Sequence, residues 1–270
     1  MADRMKDLFE EIVTTLREDM KRQGSSVDPL HYVEAEVVRW KAARSSDDGI
    51  WFSLILQMLR FGFGNYAFTY DKQPLLQEHL ADFEHLADLD EKGKRKLAEV
   101  DGLELNLQRV RSIAKNARTM RTLRKDFGSV VEFLASFESE SDLAAGVEEM
   151  FSYIKDEGAV EFTREMGWKT PGSSPAVRRV LSRMRDLVDG SIDTAGIRAA
   201  IEALAAASGR DEETVDFLLQ LFASGDARIG LSPICDVNFA CYRCRVSDSQ
   251  CAERRYEFGT GREIVREEQE

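Results

Sequence analysis

The chain has 270 residues, 43% of them hydrophobic and 32% charged, with a net charge of −12. That length supports one large domain or two small ones with a buried core, and five prolines are too few for a chain that is mainly disordered linker. The acidic total excludes a broadly basic nucleic-acid coat protein, and the longest apolar stretch, Ile50–Leu59, falls short of the roughly 20 residues that span a bilayer.

Apolar residues recur at helical spacing along almost the whole chain. Met5, Leu8, Ile12, Val13 and Leu16 mark a helix over 5–22, ended by Gly24, Ser25 and Ser26. A second helix is expected from Leu30 to Ala43. Trp51, Phe52, Ile55, Leu56 and Leu59 make a helix too apolar for a surface position, so it is read as the buried central one. The glycine- and aromatic-rich stretch Arg60–Tyr70 reads as a loop. Helices are expected over 74–89, 91–100 and 106–127, then from a Ser129 cap, and from Leu143 to Phe151. Pro175 opens a regular helix carrying Val177, Val180, Leu181, Met184, Leu187 and Val188, and two more follow over 194–207 and 211–223. No strand pattern stands out. The opening residues carry no apolar signal region, so a soluble cytoplasmic monomer is expected.

All four cysteines, Cys235, Cys241, Cys244 and Cys251, fall within 17 residues. Their clustering suits one thiolate metal centre, either zinc or an iron–sulfur cluster. The central Cys-x2-Cys turn brings two sulfurs to one metal, and the outer cysteines close the site. Arg243, Arg245, Arg254 and Arg255 make a basic island around it.

A long helical chain ending in C-x5-C-x2-C-x6-C resembles the helix-hairpin-helix DNA glycosylases of the endonuclease III and adenine-glycosylase type. That family ends in C-x6-C-x2-C-x5-C, so the outer spacings are exchanged here. Trp51–Arg60 is similar to the family's early core helix. Leu107–Ala117, followed by Asp126–Ser129, resembles the segment before the hairpin. Ala159–Gly167 resembles the helix after it, and Pro175–Arg183 the next helix start. The resemblance covers roughly 45–255 and implies an all-α, two-lobed fold with a C-terminal cluster loop. The lobes would be 1–47 with 171–232, and 48–170 carrying a degenerate hairpin; a cluster loop over 233–255 and a flexible tail over 256–270 would follow. It also implies DNA as partner, a four-iron, four-sulfur cluster as cofactor, and cleavage of an N-glycosidic bond.

The departures fall on the chemistry. Tyr153 and Lys155 replace the two hairpin glycines, Glu157 stands where bifunctional members carry a Schiff-base lysine, and Ser174 aligns with the catalytic aspartate. The resemblance therefore implies a monofunctional enzyme. It still needs a carboxylate to stabilise an oxocarbenium-like sugar, for which Glu157, Asp156 and Asp71 are the candidates. An extruded base would stack on Phe61, Phe63 and Tyr66, with Gln57 and Asn65 reading its edge. Lys115, Arg118, Arg121 and Lys125 share a helix face suited to phosphates, joined by Lys155, Arg178, Arg179, Arg243 and Arg245. A bulky or hypermodified base, as in phage DNA, is the expected substrate. A non-catalytic DNA-binding protein and an iron–sulfur redox sensor are the rival readings.

Overall fold

The computed structural model describes residues 2–63, 69–155, 157–168, 171–184, 193–238, 240–246, 250–253 and 257–261. The described residues are all-α. In chain order the helices are α1 (Ala2–Arg22), α2 (Pro29–Ala43), α3 (Asp47–Gln57), α4 (Gln73–Leu80), α5 (Phe83–Ala87), α6 (Glu91–Ala98) and α7 (Leu107–Phe127). They continue with α8 (Val130–Ala135), α9 (Glu140–Met150), α10 (Glu157–Glu165), α11 (Pro175–Arg183), α12 (Thr194–Ser208) and α13 (Glu212–Ser224). Among the described residues the only extended pairing is two isolated bridges, Met184 with Cys251 and Asp226 with Leu231.

One capping device recurs. Ser46, Asp82, Asp90, Asn106, Ser129, Ser139, Asp193 and Asp211 each turn a side-chain oxygen onto a backbone N–H three residues on. Each cap satisfies a donor that the first helical turn leaves open, and is worth about 1 kcal/mol against alanine.

The chain forms two compact units, Met1–Val37 with Pro171–Glu270, and Val38–Thr170. The sequence had placed this division at 47/48; it falls at 37/38. In Val38–Thr170 the core gathers Trp51, Ile55, Phe83, Ile113, Met120, Val147 and Phe162. Helix α7 is central and packs against α3, α5, α6 and α8. Trp51 Nε1 donates to the Leu80 carbonyl at 2.6 Å. Asp47 Oδ1 accepts from the backbone N–H groups of Val130 and Val131, which ties the start of α3 to the start of α8.

In the other unit, α1, α11, α12 and α13 bury Leu8, Ile12, Leu16, Val180, Ile201, Leu204 and Phe222. Arg228 is buried between Asp226 and Glu36, 2.7 and 3.1 Å away, and the Tyr32 hydroxyl donates to Asp226 at 2.8 Å. Every charge in this cluster has a partner of opposite sign, so removing one would strand the others without solvent.

Three boundaries differ from the sequence reading. The apolar run past Gln57 does not stop at a loop: Met58–Gly62 form a π-turn. The helical stretch 74–89 is two helices, because Asp82 leaves the helix to cap α5. The pattern through Val188 predicted a longer α11, but Met184 becomes extended and bridges Cys251, ending the helix at Arg183. Leu187 and Val188 lie outside the described residues.

The π-turn brings two backbones together. Gly62 lies against the Tyr153 carbonyl oxygen, and a side chain at position 62 would collide with it. Overpacking of this kind costs about 1–3 kcal/mol. Gly62→Ala should therefore destabilise the protein by about 2 kcal/mol or more in urea unfolding, whereas Gly24→Ala, with open space around it, should show only the smaller cost of its positive φ.

Candidate functional site

Helices α9 and α10 pack on each other as a helical hairpin whose turn includes residues 151–155. A buried amide holds its turn. Asn116, in the middle of α7 and fully buried, donates from Nδ2 to the Ser152 carbonyl at 2.8 Å. Its Oδ1 accepts from the Ser152 N–H at 2.9 Å. Lys115 Nζ reaches the Ser152 hydroxyl at 3.1 Å. Sequence reasoning missed Asn116. Its signal was a lone amide on a face otherwise formed by Ile113, Ala117 and Met120.

Tyr153 has φ +66°, the left-handed region that glycine prefers. A positive φ is uncommon for a residue with so large a side chain. The ring packs edge-on against Phe63, with centroids 4.9 Å apart. Phe63 is itself buried, and Arg109 donates to its carbonyl at 2.8 Å. Phe61 stays partly exposed and faces Gly158, where a Cβ would stand 3.4 Å from Phe61 Cβ. So Phe61 and Phe63 come to the hairpin, but Phe63 is packed there and does not present a free face. Gln57 is buried too, and Glu165 accepts its Nε2 at 2.7 Å. Asn65, Tyr66 and Asp156 lie outside the described residues.

Two of the candidate carboxylates, Glu157 and Asp71, are exposed, whereas Gln57 is buried. Glu157 opens α10 and is exposed, a position the helix dipole favours. Asp71 is exposed in a short 3₁₀ turn, Tyr70–Lys72. Ser174 is buried at the start of α11.

The cations sort into two groups. Arg121 is held by Glu84 at 2.7 Å and by Asp88 at 2.7 Å. Arg179 pairs with Asp236 at 2.8 Å, Arg243 with Asp19 at 3.1 Å and Arg245 with Glu18 at 2.6 Å. Arg178 donates to the Gly172 carbonyl and the Thr194 hydroxyl. Lys155 is 74% exposed, with Glu148 at 3.6 Å. Arg118 is exposed and makes no ion pair among the described residues. The sequence reading counted all of these toward DNA binding; intramolecular carboxylates already neutralise several of them.

The cysteine loop belongs to the other unit. Cys241–Arg243 is a 3₁₀ turn in which Cys244 N–H donates to the Cys241 carbonyl at 3.0 Å. This is the tight turn that the Cys-x2-Cys spacing requires. Cys235, Cys241, Cys244 and Cys251 line one cavity of about 20 Å³, walled by Met184, Phe222, Ile234 and Val246. Arg183 reaches into it. Its Nη1 donates to Cys235 Sγ at 3.3 Å and to the Cys235 and Asp236 carbonyls. Burial pushes the Cys235 and Cys244 thiols up, with Arg183 opposing this at Cys235. Among the described residues no group of three or more His, Cys, Asp or Glu side chains is already arranged to hold a metal ion. The donor chemistry nevertheless fits a thiolate centre: four sulfurs, apolar walls and a buried guanidinium to balance negative charge.

Among the described residues the fold is all-α with a helical hairpin held by a buried asparagine, an arrangement consistent with a DNA glycosylase of the helix-hairpin-helix type. A sequence profile of the methyladenine glycosylase family matches residues 30–166, just over half of the chain, and the protein belongs to that family. The match takes in α3 to α10 and ends before the cysteine loop. No curated protein and no solved structure matches. Membership makes DNA the partner and N-glycosylase chemistry the activity of the family. Among the described residues no helix is long and apolar enough to cross a membrane.

The pairing pattern separates two arginines on one helix. Arg118→Ala should flatten the salt dependence of DNA affinity by about one unit of slope with stability kept. Arg121→Ala should lower the melting temperature and leave the slope nearly unchanged. Fluorescence anisotropy across a salt series, with thermal melts of both variants, checks this.

Proposed function

We propose that the protein is a monofunctional DNA glycosylase that hydrolyses the N-glycosidic bond of a modified base and leaves an intact abasic strand. The family match over 30–166 carries this reading. Glu157 supports the monofunctional part, because a carboxylate cannot form the imine that a lysine would form there. As the exposed first residue of α10, beside the hairpin turn, it is also the carboxylate we assign to the sugar cation. In that role it stabilises positive charge as the bond to the base breaks and orients the attacking water. The hairpin turn and the neighbouring Lys115, Arg118 and Lys155 hold the DNA backbone beside it. Phe61, the partly exposed ring at the hairpin, gives the extruded base a stacking face.

The four cysteines would hold a four-iron, four-sulfur cluster. Such a cluster supplies a rigid charged anchor for its loop, and Arg183 balances its negative charge. In this assignment the quartet is structural, and loss of any one cysteine should loosen the unit that contains α1 and α11–α13.

Two outcomes test these statements. A screen of duplexes with modified bases, phage genomes included, should yield abasic sites without strand cleavage and without a borohydride-trapped adduct. Glu157→Gln should then slow base release roughly 10²–10³-fold while DNA binding survives, with Asp71→Asn as the unaffected control. Anaerobically purified protein should carry about four iron atoms per chain with absorption near 400 nm, both lost in Cys244→Ala. One zinc per chain would overturn the cluster assignment.

A further inference from the structure

We infer that the cavity bounded by α4, α5 and α6 docks an acidic segment of a partner protein that carries leucine-sized aliphatic side chains. The cavity holds about 360 Å³, within the range of roughly 300–1,000 Å³ usual for ligand sites. Its floor is aliphatic. Leu86 and Leu97 belong to the core of Val38–Thr170, and Leu89 and Val100 pack on that core while staying partly exposed. Gly93 completes the wall. Glycine is a poor choice inside a helix, but at this position of α6 it leaves the cavity open. A β-carbon there would stand 2.9 Å from Leu89 Cδ2 and push that side chain aside. No lining residue belongs to the hairpin, to α10 or to the π-turn, so the inference goes beyond the glycosylase reading.

The rim carries the opposite charge to the protein as a whole. Lys96, His79 and His85 stand on it, and the acid among the lining residues, Glu78, lies 3.9 Å from His79 Nε2. The positive charge continues along α6, which carries Lys92, Lys94, Arg95 and Lys96 in one turn and a half. Glu91 takes up Lys94 at 3.0 Å and Arg111 at 2.7 Å. Lys92, Arg95 and Lys96 are exposed and make no ion pair among the described residues. Their spacing of three and four residues puts them on one helix face. Three cations spread over about 6 Å of helix axis match several carboxylates along a chain better than one small anion. The aliphatic floor beside them takes the side chains between those carboxylates. A phosphate backbone would use the cations and leave the cavity empty, so charge and shape together favour an acidic peptide chain.

The test uses the full chain and a fluorescently labelled synthetic peptide of about 15 residues, long enough for a helix, with leucine at every third or fourth position and glutamate elsewhere. Fluorescence polarisation should show saturable binding. Changing the leucines to alanine should weaken it about tenfold, and changing the glutamates to lysine should abolish it. Gly93→Met keeps every charge and fills the cavity, so it should weaken the peptide about tenfold with the melting temperature kept. The combined reversal Lys92→Glu, Arg95→Glu and Lys96→Glu keeps the cavity and should weaken the peptide by a similar factor, since exposed pairs contribute little one by one. These three side chains are on the surface, so the reversal reports even if Gly93→Met folds poorly. No saturable binding up to about 1 mM peptide overturns the proposal. So does a reversal that weakens duplex DNA as much as the peptide while folded Gly93→Met binds the peptide normally, the pattern of a nucleic-acid surface. A concentration-dependent dimer of the wild type that Gly93→Met dissolves also overturns it, in favour of a second copy of this chain.

Discussion

The hairpin rests on one buried amide. Asn116 uses both of its functions on the backbone of a single residue, Ser152, and so fixes the turn from inside the core. The neighbouring features follow from that anchor. With Ser152 held, Tyr153 must bend through the left-handed region, its carbonyl comes against Gly62, and its ring closes over Phe63. A positive φ on a bulky residue is tolerated only where surrounding contacts over-determine it. Here the amide clamp, the glycine and the ring stack do so together. The turn takes its support from α7, through Asn116.

Electrostatics divides along similar lines. The protein is acidic overall, and its basic residues are less available than their number suggests. Glu84 and Asp88 occupy Arg121, and the acidic face of α1 occupies Arg243 and Arg245. These pairs fix elements in place and withdraw charge from any nucleic acid. What remains near the hairpin is a small cationic patch around Lys115, Arg118 and Lys155.

Much of this was legible in the sequence. Cap residues ahead of apolar periods marked helix starts, and the cysteine spacing foretold the turn at Cys241–Cys244. What was not legible depends on contacts between distant residues. Nothing local distinguishes Arg118 from Arg121; only the folded chain brings Glu84 to one and leaves the other exposed. The end of α11 at Arg183 was hidden for the same reason, since Met184 bridges to Cys251, far along the sequence. Gln57 and Asn116 were visible as polar residues on apolar faces. That pattern flags a buried network but does not identify its partners, because Ser152 in the hairpin turn and Glu165 in α10 are distant in sequence.

The unit that carries the cysteine loop is assembled from both ends of the chain. The Arg245 N–H donates to the Thr15 hydroxyl, and Arg243 and Arg245 grip Asp19 and Glu18 of α1. On the ribosome, α1 therefore emerges long before its partners exist, whereas Val38–Thr170 is contiguous and has its whole core available once α10 has left the exit tunnel. The apolar face of α1, with Leu8, Ile12 and Leu16, must wait for α12 to be made. Maturation thus has a built-in order, in which the contiguous unit Val38–Thr170 is complete before the cysteine loop exists to meet α1.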